Sequence, residues 1–318
     1  MDRRAAVEAL QRLVANVETV ITAKREVIEA SVLALAAEGH LLIEDAPGVG
    51  KTMLAKSIAR SIDASFKRVQ ATPDLLPSDI TGVAIFDQVS KEFQFIPGPI
   101  FSNVVVLDEI NRTTPRTQAA LLEAMEEKHV TAEGMTRPVP SPFFVIATQN
   151  PLEYHGTYPL PEGQLDRFLI ATSMGYPDSI SERGIVEAQL LEHPIDRLNP
   201  VISLNDIEEI QQRVRETTID SILIDYVIQI VAATRSHPGV TLGAGPRGSL
   251  GLTRVAQARA LLLGRDYVLP DDIKAVAPMV LGHRIVMDPQ LRSGPMAGRS
   301  LISAILDRTA VPTVPALR

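Results

Sequence analysis

A phosphate-binding loop is the strongest chemical signal in the sequence. The residues DAPGVGKT at positions 45–52 match the pattern G-x-x-x-x-G-K-[ST], except that Asp45 stands where the pattern has its first glycine. In such a loop, glycines let backbone N–H groups turn towards the phosphates, the lysine reaches the terminal phosphates, and the hydroxyl ligates Mg²⁺. We therefore predict a nucleotide site. The residues predicted to surround the nucleotide are Pro47, Gly48, Val49, Gly50, Lys51, Thr52 and Met53.

The sequence on either side of this loop has the required context. The apolar residues 41–44 precede the loop, and the helix-forming run TMLAKSIARSI follows it. The alternative is a glycine-rich turn with an incidental lysine. That alternative is weak, because the positive end of a helix dipole disfavours an ammonium group that has no anion to bind.

An acidic pair supplies the second chemical signal. Asp108 and Glu109 end the apolar run NVVVLDE, and ligands of parallel sheets bind at the carboxyl ends of the strands. We predict that Asp108 and Thr52 hold Mg²⁺, and that Glu109 orients and deprotonates the attacking water. A helix N-cap after a strand is the alternative interpretation. The sequence contains no N/T-K-x-D guanine-reading motif, which favours ATP over GTP.

These residues need a parallel sheet to bring them together, and the sequence predicts one. Five short apolar runs alternate with helical patterns, as buried parallel strands do. The runs are HLLIED (40–45), FKRVQ (66–70), NVVVLDE (103–109), PFFVIATQN (142–150) and FLIATSM (168–174). A doubly wound α/β domain over residues 1–176 follows.

The pattern changes at Pro177. The residues after it show helical spacing and no strand, with helix start signals at Ser203 and at Pro270, so we predict a smaller all-α domain over residues 177–318.

Two stretches of the first domain predict inserts that project from the sheet. Residues 84–101 read as two short strands around a Ser-Lys turn. Residues 129–139 read as a hairpin that turns near Glu133 and Gly134.

Composition narrows the class of protein. The 318 residues carry a formal net charge of −7, which argues against a protein that coats nucleic acid. There is no cysteine, so disulfides and thiolate metal sites are excluded. No apolar stretch approaches the ~18 residues that a membrane-spanning helix needs. We expect a cytoplasmic protein.

The order of the motifs resembles that of the MoxR-type AAA+ ATPases, over nearly the whole chain. The motifs are GVGKT, VVVLDEINR, ATQNP, GTYPLPEGQLDRF and GPRGSL. The resemblance implies an α/β nucleotide domain with a helix-2 insert and a pre-sensor-1 hairpin, followed by a helical lid. The two inserts at 84–101 and 129–139 lie where these features are expected. It also implies a homo-oligomer, a hexameric ring, that hydrolyses ATP between its subunits. Such rings remodel or mature partner proteins, often ones with a von Willebrand factor A domain.

The resemblance assigns three further site residues. Asn150 matches the sensor-1 position, where its amide can contact the attacking water and the γ-phosphate. Arg167 matches the arginine finger, which acts on a neighbouring subunit, and Arg247 matches sensor 2. The alternatives are an Asn-Pro turn at Asn150 and a local ion pair of Arg167 with Asp166. For Arg247 the alternative is a surface arginine, which the helix dipole disfavours.

The chain departs from the family pattern at the adenine pocket. Thr22 and Ala23 stand where the family usually has a glycine after a β-branched pair. Two other functions stay open, namely an assembly scaffold gated by nucleotide with little turnover, and a DNA-directed motor. The intact set of Glu109, Asn150 and Arg167 argues against the scaffold, and the acidic net charge argues against the motor.

Overall fold

A computed structural model describes residues 1–46, 48–132, 134–150, 157–190, 193–288, 290 and 297–312. The helices of this part of the chain are α1 (Arg3–Glu18), α2 (Arg25–Ala36), α3 (Lys51–Ser61), α4 (Pro77–Thr81), α5 (Pro115–Glu127), α6 (Glu162–Leu165), α7 (Ser179–Gln189), α8 (Leu204–Glu216), α9 (Ser221–Ser236), α10 (Pro246–Leu262), α11 (Pro270–Leu281) and α12 (Ala297–Arg308). The strands are β1 (Leu41–Glu44), β2 (Phe66–Gln70), β3 (Gly82–Asp87), β4 (Glu92–Pro97), β5 (Val104–Asp108), β6 (His129–Ala132), β7 (Met135–Pro138), β8 (Phe144–Gln149), β9 (Ile170–Thr172), β10 (Val240–Leu242) and β11 (Val286–Met287). Short 3₁₀ turns lie at Ile110–Arg112, Pro194–Arg197 and Gly282–Arg284.

The central sheet has five parallel strands in the order β2-β5-β8-β1-β9. Each of the five predicted apolar runs contains one of these strands, so that prediction is confirmed. Since β1 lies between β8 and β9, the loop that follows β1 opens at the carboxyl end of the sheet, next to the central strand β8. This is the position where open parallel sheets bind ligands.

Alternate residues of β1, β5, β8 and β9 enter two separate apolar cores. Leu41 and Ile43 pack in a core shared with α1, α2 and α3, whereas Leu42 packs in the core formed with α5. The same alternation runs along β5, where Val104 and Val106 join the first core. Because helices cover both faces, both sets of side chains must be apolar, which explains the continuous apolar runs.

Both predicted inserts are antiparallel hairpins. β3 pairs with β4, and β6 pairs with β7 around Gly134, whose φ is +72°. Glu133, the other residue predicted at this turn, lies outside the described residues. The two hairpins contact each other, since the Arg137 guanidinium lies 3.8 Å from the centre of the Phe95 ring.

The second part of the chain is helical from α7 to α12, and Ser203 and Pro270 begin α8 and α11 as predicted. The expectation that it contains no strand is wrong. β10 and β11 pair as a small antiparallel ribbon, and they are too short for their sequence to show an alternating pattern. The predicted boundary at residues 176 and 177 falls between β9 and α7. None of the described helices is long and apolar enough to cross a membrane.

The two helices at the start of the chain pack against both parts of the molecule. α1 contacts α3 of the α/β part and also α8 and α10 of the helical part. Their shared apolar core includes Leu13 of α1, Ile210 of α8 and Val255 of α10. The helical part is therefore packed on the α/β part, not joined to it by the chain alone.

Candidate active site

The predicted phosphate loop connects β1 to α3. Gly48 has a φ of +84° and Gly50 a φ of +97°, and Gly50 directly precedes the first residue of α3. Residues other than glycine rarely adopt these left-handed backbone conformations, so the two glycines are needed for the shape of the loop. The amino end of α3, with its unpaired N–H groups, faces the loop. Pro47 lies outside the described residues.

Lys51, the first residue of α3, is folded back over this loop. Its Nζ donates to the carbonyl oxygens of Asp45, at 2.9 Å, and Ala46, at 3.2 Å. The side chain is largely buried. A buried ammonium that is held by backbone carbonyls can exchange them for the stronger acceptors of a phosphate chain.

The loop and the acidic pair meet at the carboxyl end of the sheet. Thr52 Oγ1 donates to Asp108 Oδ2 over 3.2 Å, and the same carboxylate oxygen accepts from Arg68 Nε at 2.5 Å. The hydroxyl and the carboxylate are hard oxygen ligands of the kind that Mg²⁺ prefers. Among the described residues no three His, Asp or Glu side chains form a group that could hold a metal. These two residues fit Mg²⁺, which usually keeps water and phosphate oxygens as its other ligands.

Glu109 has an unusual backbone conformation. It follows β5 with φ 59° and ψ 50°, a left-handed conformation that is costly for a residue other than glycine and that is often found at functional sites. Its N–H donates to Thr148 Oγ1 at 2.9 Å. Its Oε2 accepts from Gln70 Nε2 at 3.0 Å and from Arg112 at 3.2 Å. The carboxylate is thus held by side chains from β2 and from the turn after β5, and the backbone of Glu109 is held by Thr148 of β8.

Asn150 directly follows β8 and is buried. Its carbonyl oxygen accepts a hydrogen bond from the Asn111 side chain at 3.5 Å. β8 lies between β5 and β1 in the sheet, so Asn150 is at the same end as the acidic pair and the phosphate loop. The structure therefore brings Lys51, Asp108 and Asn150 to one end of the sheet.

Arg167 and Arg247 lie together at the other end of the sheet. Arg167 precedes β9, and its Nε lies 3.1 Å from Glu126 Oε2. Arg247, in the first turn of α10, pairs with the other oxygen of Glu126 and lies 3.8 Å from Asp166 Oδ2. The two arginines share a cleft of about 400 Å³ with Gly39, which lies just before β1. β1 is four residues long, about 13 Å at the usual rise per residue, and separates this cleft from the phosphate loop.

The segment that carries Arg167 is held by a buried arginine from the helical part. Arg284 donates to the Asp166 carboxylate at 2.8 Å, to the Phe168 carbonyl at 2.7 Å and to the Leu169 carbonyl at 3.0 Å. Burial lowers the pKa of Arg284 to about 10, and the nearby Asp166 partly offsets this effect. His283 also contacts the Phe168 carbonyl. Arg167 is therefore anchored to the part of the chain that carries Arg247.

Three polar residues around the acidic pair were not predicted. They are Arg68, Gln70 and Thr148, and each contacts Asp108 or Glu109. Gln70 ends β2 directly opposite Asp108 in the strand register. The sequence could have indicated them only if the strand order had been known, because they are far apart along the chain.

The segment at the predicted adenine pocket keeps the backbone shape that glycine would favour. Ala23 has a φ of +57°, so the departure from the family pattern changes the side chain and leaves a left-handed turn at this position.

Comparisons with known proteins agree on one family. Residues 40–170 match the family model described as "ATPase family associated with various cellular activities", and residues 232–303 match that described as "AAA lid domain". The chain is 39% identical to chaperone MoxR1 of Mycobacterium tuberculosis over 98% of this chain and 85% of that protein. It is 49% identical to the uncharacterized protein YeaC of Bacillus subtilis over 95% of each. The crystal structure of a candidate ATPase from Cytophaga hutchinsonii has a TM-score of 0.89 and 36% identity, covering 98% of this chain and 97% of that one.

Proposed function

We propose that this chain, which belongs to the MoxR family of AAA+ ATPases, hydrolyses ATP at the interfaces between subunits of a ring. The chain is an ATPase with an AAA domain and a lid domain.

The carboxyl end of the sheet supplies most of the chemistry in this proposal. The loop from Gly48 to Met53 binds the phosphates, and Lys51 moves from the carbonyls of Asp45 and Ala46 to the terminal phosphates. Thr52 and Asp108 hold Mg²⁺, which neutralises charge that develops on the phosphate oxygens. Glu109 orients a water and accepts its proton, and Asn150 donates to the γ-phosphate.

The single observation that carries the interface proposal is the position of the two arginines. Arg167 and Arg247 lie next to each other at the amino end of the sheet, and the length of β1, about 13 Å, separates them from Lys51 of their own chain. A head-to-tail contact places the amino end of one subunit against the carboxyl end of the next, and repetition of that contact closes a ring. Both arginines then complete the neighbour's site.

Glu126 is the group that the phosphates would replace. It accepts from Arg167 with one oxygen and from Arg247 with the other, so it holds both guanidinium groups close together. These pairs are partly exposed, and exposed ion pairs contribute little to stability. Exchange of Glu126 for a triphosphate, with its higher charge, is therefore feasible when a neighbouring subunit docks.

A mixing experiment tests the composite site. Lys51→Ala and Arg167→Ala subunits should each be nearly inactive alone. In a random equimolar mixture about a quarter of the head-to-tail interfaces combine an intact loop with an intact arginine, so activity should recover towards that fraction. Arg4→Ala is the matched control, because Arg4 is an exposed arginine that also pairs with a glutamate, and it should keep full activity. Absence of any recovery, with both variants folded and assembled, would contradict the interface proposal.

Glu109→Gln tests the proposed base and the scaffold alternative together. The glutamine keeps the size and the contact with Gln70 but cannot take a proton, so ATP binding should persist while turnover is lost. If turnover is unchanged, Glu109 is not the base. If the wild-type protein itself binds ATP and shows no turnover under any assembly condition, the scaffold function is favoured.

The wider proposal is a hexameric ring that remodels partner proteins in the cytoplasm. It is supported by the relative named chaperone MoxR1, and the cysteine-free sequence suits a reducing compartment. A partner with a von Willebrand factor A domain is the protein class that the family resemblance favours. The Glu109→Gln variant should stay in the ATP-bound state and is therefore the form with which to capture such a partner. Mass photometry in the presence of ATP measures the number of subunits in the ring.

A further inference from the structure

Asp45, the residue that breaks the phosphate-loop pattern, has a defined set of partners. Its Oδ2 accepts from Ser173 Oγ at 3.0 Å, from Met174 N at 2.5 Å and from Gly175 N at 2.8 Å. Two of the three donors are backbone N–H groups in one turn, where Gly175 has a φ of +60°. Hydrogen bonds to an ionised carboxylate are among the stronger ones in proteins.

These donors belong to the segment that leaves the sheet for the helical part, residues 173–176, between β9 and α7. We refer to it as the linker segment. It lies against the phosphate loop, because a methyl group placed on Gly50 would be 3.6 Å from the Met174 Cε atom. Lys24, next to the predicted adenine pocket, donates to the Tyr176 carbonyl at 3.1 Å. The linker segment therefore lies between two parts of the predicted nucleotide site.

The backbone of Asp45 contacts the other side of the site. Its N–H donates to the Gln149 carbonyl at 3.0 Å, and its own carbonyl oxygen accepts from Lys51 Nζ. One residue thus connects β8, the phosphate-binding lysine and the linker segment. A glycine at this position could make the two backbone contacts and none of the three side-chain contacts.

We propose that Asp45 is a positioning residue that ties the phosphate loop to the linker segment and thereby sets the affinity for ATP. It holds the loop in the conformation in which Lys51 and the backbone N–H groups can receive phosphates. When Lys51 turns to the phosphates, the Asp45 carbonyl loses a partner, and the carboxylate carries this change to the linker segment. The proposal rests on the proposed binding of phosphates by the loop.

The negative charge of Asp45 makes its two possible roles, passive neighbour and anchor, distinguishable by ATP affinity. A carboxylate close to a phosphate site repels the triphosphate, so removal of a passive Asp45 should strengthen ATP binding or leave it unchanged. Removal of an anchor should weaken it. Asp45→Gly, which restores the residue of the general pattern, therefore gives opposite results under the two interpretations.

The experiment compares Asp45→Gly, Asp45→Asn and Ser173→Ala with the wild type. Binding of a fluorescent ADP and of ATP in the presence of Mg²⁺ is measured by titration, and kcat and KM for ATP are measured separately. We expect at least about tenfold weaker binding for Asp45→Gly, from the loss of charge-assisted hydrogen bonds. Asp45→Asn should be intermediate and Ser173→Ala the mildest, and KM should change more than kcat.

Hydrogen exchange supplies the readout that a general loss of stability would not give. In Asp45→Gly the amides of Met174 and Gly175 should exchange faster, while peptides from α9 should be unchanged. Nucleotide should alter exchange in the linker segment of the wild type and not in Asp45→Gly.

Two results would overturn the proposal. One is a folded Asp45→Gly protein that binds ATP as tightly as the wild type or more tightly. The other is unchanged exchange at Met174 and Gly175. If Asp45→Gly does not fold, Asp45→Asn and Ser173→Ala decide by the same measurements. Lys51→Ala tests the proposed function separately. Normal ATP binding by that variant would contradict phosphate binding by the loop, whereas hydrogen exchange at Met174 and Gly175 in Asp45→Gly would still test whether Asp45 holds the linker segment.

Discussion

Arg284 gives the most quantitative test of how the molecule is held together. Its side chain is 2% exposed and carries the ion pair with Asp166, whose side chain is 28% exposed. It also donates to the carbonyl oxygens of Phe168, Leu169 and Val280. Arg284→Met keeps much of the apolar length and removes every one of these hydrogen bonds.

The expected cost follows from the groups left behind. Removing one partner of a buried ion pair typically costs about 3–5 kcal/mol, because the other charge and its neighbouring polar groups lose their partners. Asp166 keeps some access to water, and the Phe168 carbonyl keeps its contact with His283, so we expect the lower value, about 3 kcal/mol. With an unfolding entropy of about 2.1 cal/mol/K per residue, this corresponds to a fall in Tm of roughly 4–5 °C for a chain of 318 residues. The Tm of Arg284→Lys should lie between those of the wild type and Arg284→Met, because an ammonium keeps the charge but lacks the planar fork that reaches several acceptors.

Differential scanning calorimetry and urea unfolding at pH 7 measure the effect. The matched control is Arg4→Met, the same substitution at an arginine whose side chain is 89% exposed and pairs with Glu8. It should change the free energy of unfolding by less than about 0.5 kcal/mol. A Tm of Arg284→Met within about 2 °C of that control would refute the reasoning that the buried guanidinium anchors residues 166–169.

Three further predictions concern buried charge and the metal. Burial alone would raise the pKa of Asp272, but the hydrogen bonds from Arg265 and Arg259 hold this pKa below its usual value. Its stabilisation is therefore present above about pH 4 and lost as the pH falls through the lowered pKa of the folded state. Asp272→Asn should cost about 3–5 kcal/mol at pH 7, and by pH 3 this cost should fall by up to about 1 kcal/mol in urea titrations. Burial lowers the pKa of His40 to about 4. In the unfolded chain this histidine binds a proton near pH 6.5, so lowering the pH favours unfolding. Between pH 7.5 and 5 the free energy of unfolding of the wild type should therefore fall by about 2 kcal/mol more than that of His40→Gln. An equal fall in the two proteins would contradict this prediction. Asp108→Asn, or chelation of Mg²⁺ from the wild type, should lower ATP turnover at least about a hundredfold in a phosphate-release assay. Normal turnover in either case would contradict the assignment of Asp108 and Thr52 as metal ligands.

Local sequence patterns were sufficient for the central elements. Short apolar runs located all five strands of the sheet. Four of them, β1, β5, β8 and β9, are buried on both faces and therefore need apolar residues at consecutive positions, whereas the edge strand β2 is mostly exposed. Gly48 and Gly50 predicted the tight turn before α3, and both have the left-handed φ that such a turn requires. The start of α8 was visible from Ser203, whose side chain caps that helix.

Other features had no local pattern to read. β10 and β11 are two or three residues long, and they form strands only because the fold brings them side by side. Gln70 and Thr148 reach the acidic pair through the order of β2, β5 and β8, which depends on how distant segments pair. The partners of Asp45 lie about 130 positions away along the chain, which is why the sequence offered no account of this residue.

The sequence by itself determined the strands of the central sheet, the starts of helices such as α8 and the motifs that indicate the family, because each of these patterns lies within a short stretch of the chain. It also predicted the residues with nucleotide chemistry. Only the tertiary structure decided that Asn150 joins Lys51 and Asp108 at one end of the sheet while Arg167 and Arg247 meet around Glu126 at the other. The physical reason is that the direction of parallel strands fixes which ends of distant segments meet. A pattern along the chain specifies each strand, but the pairing of strands places their ends.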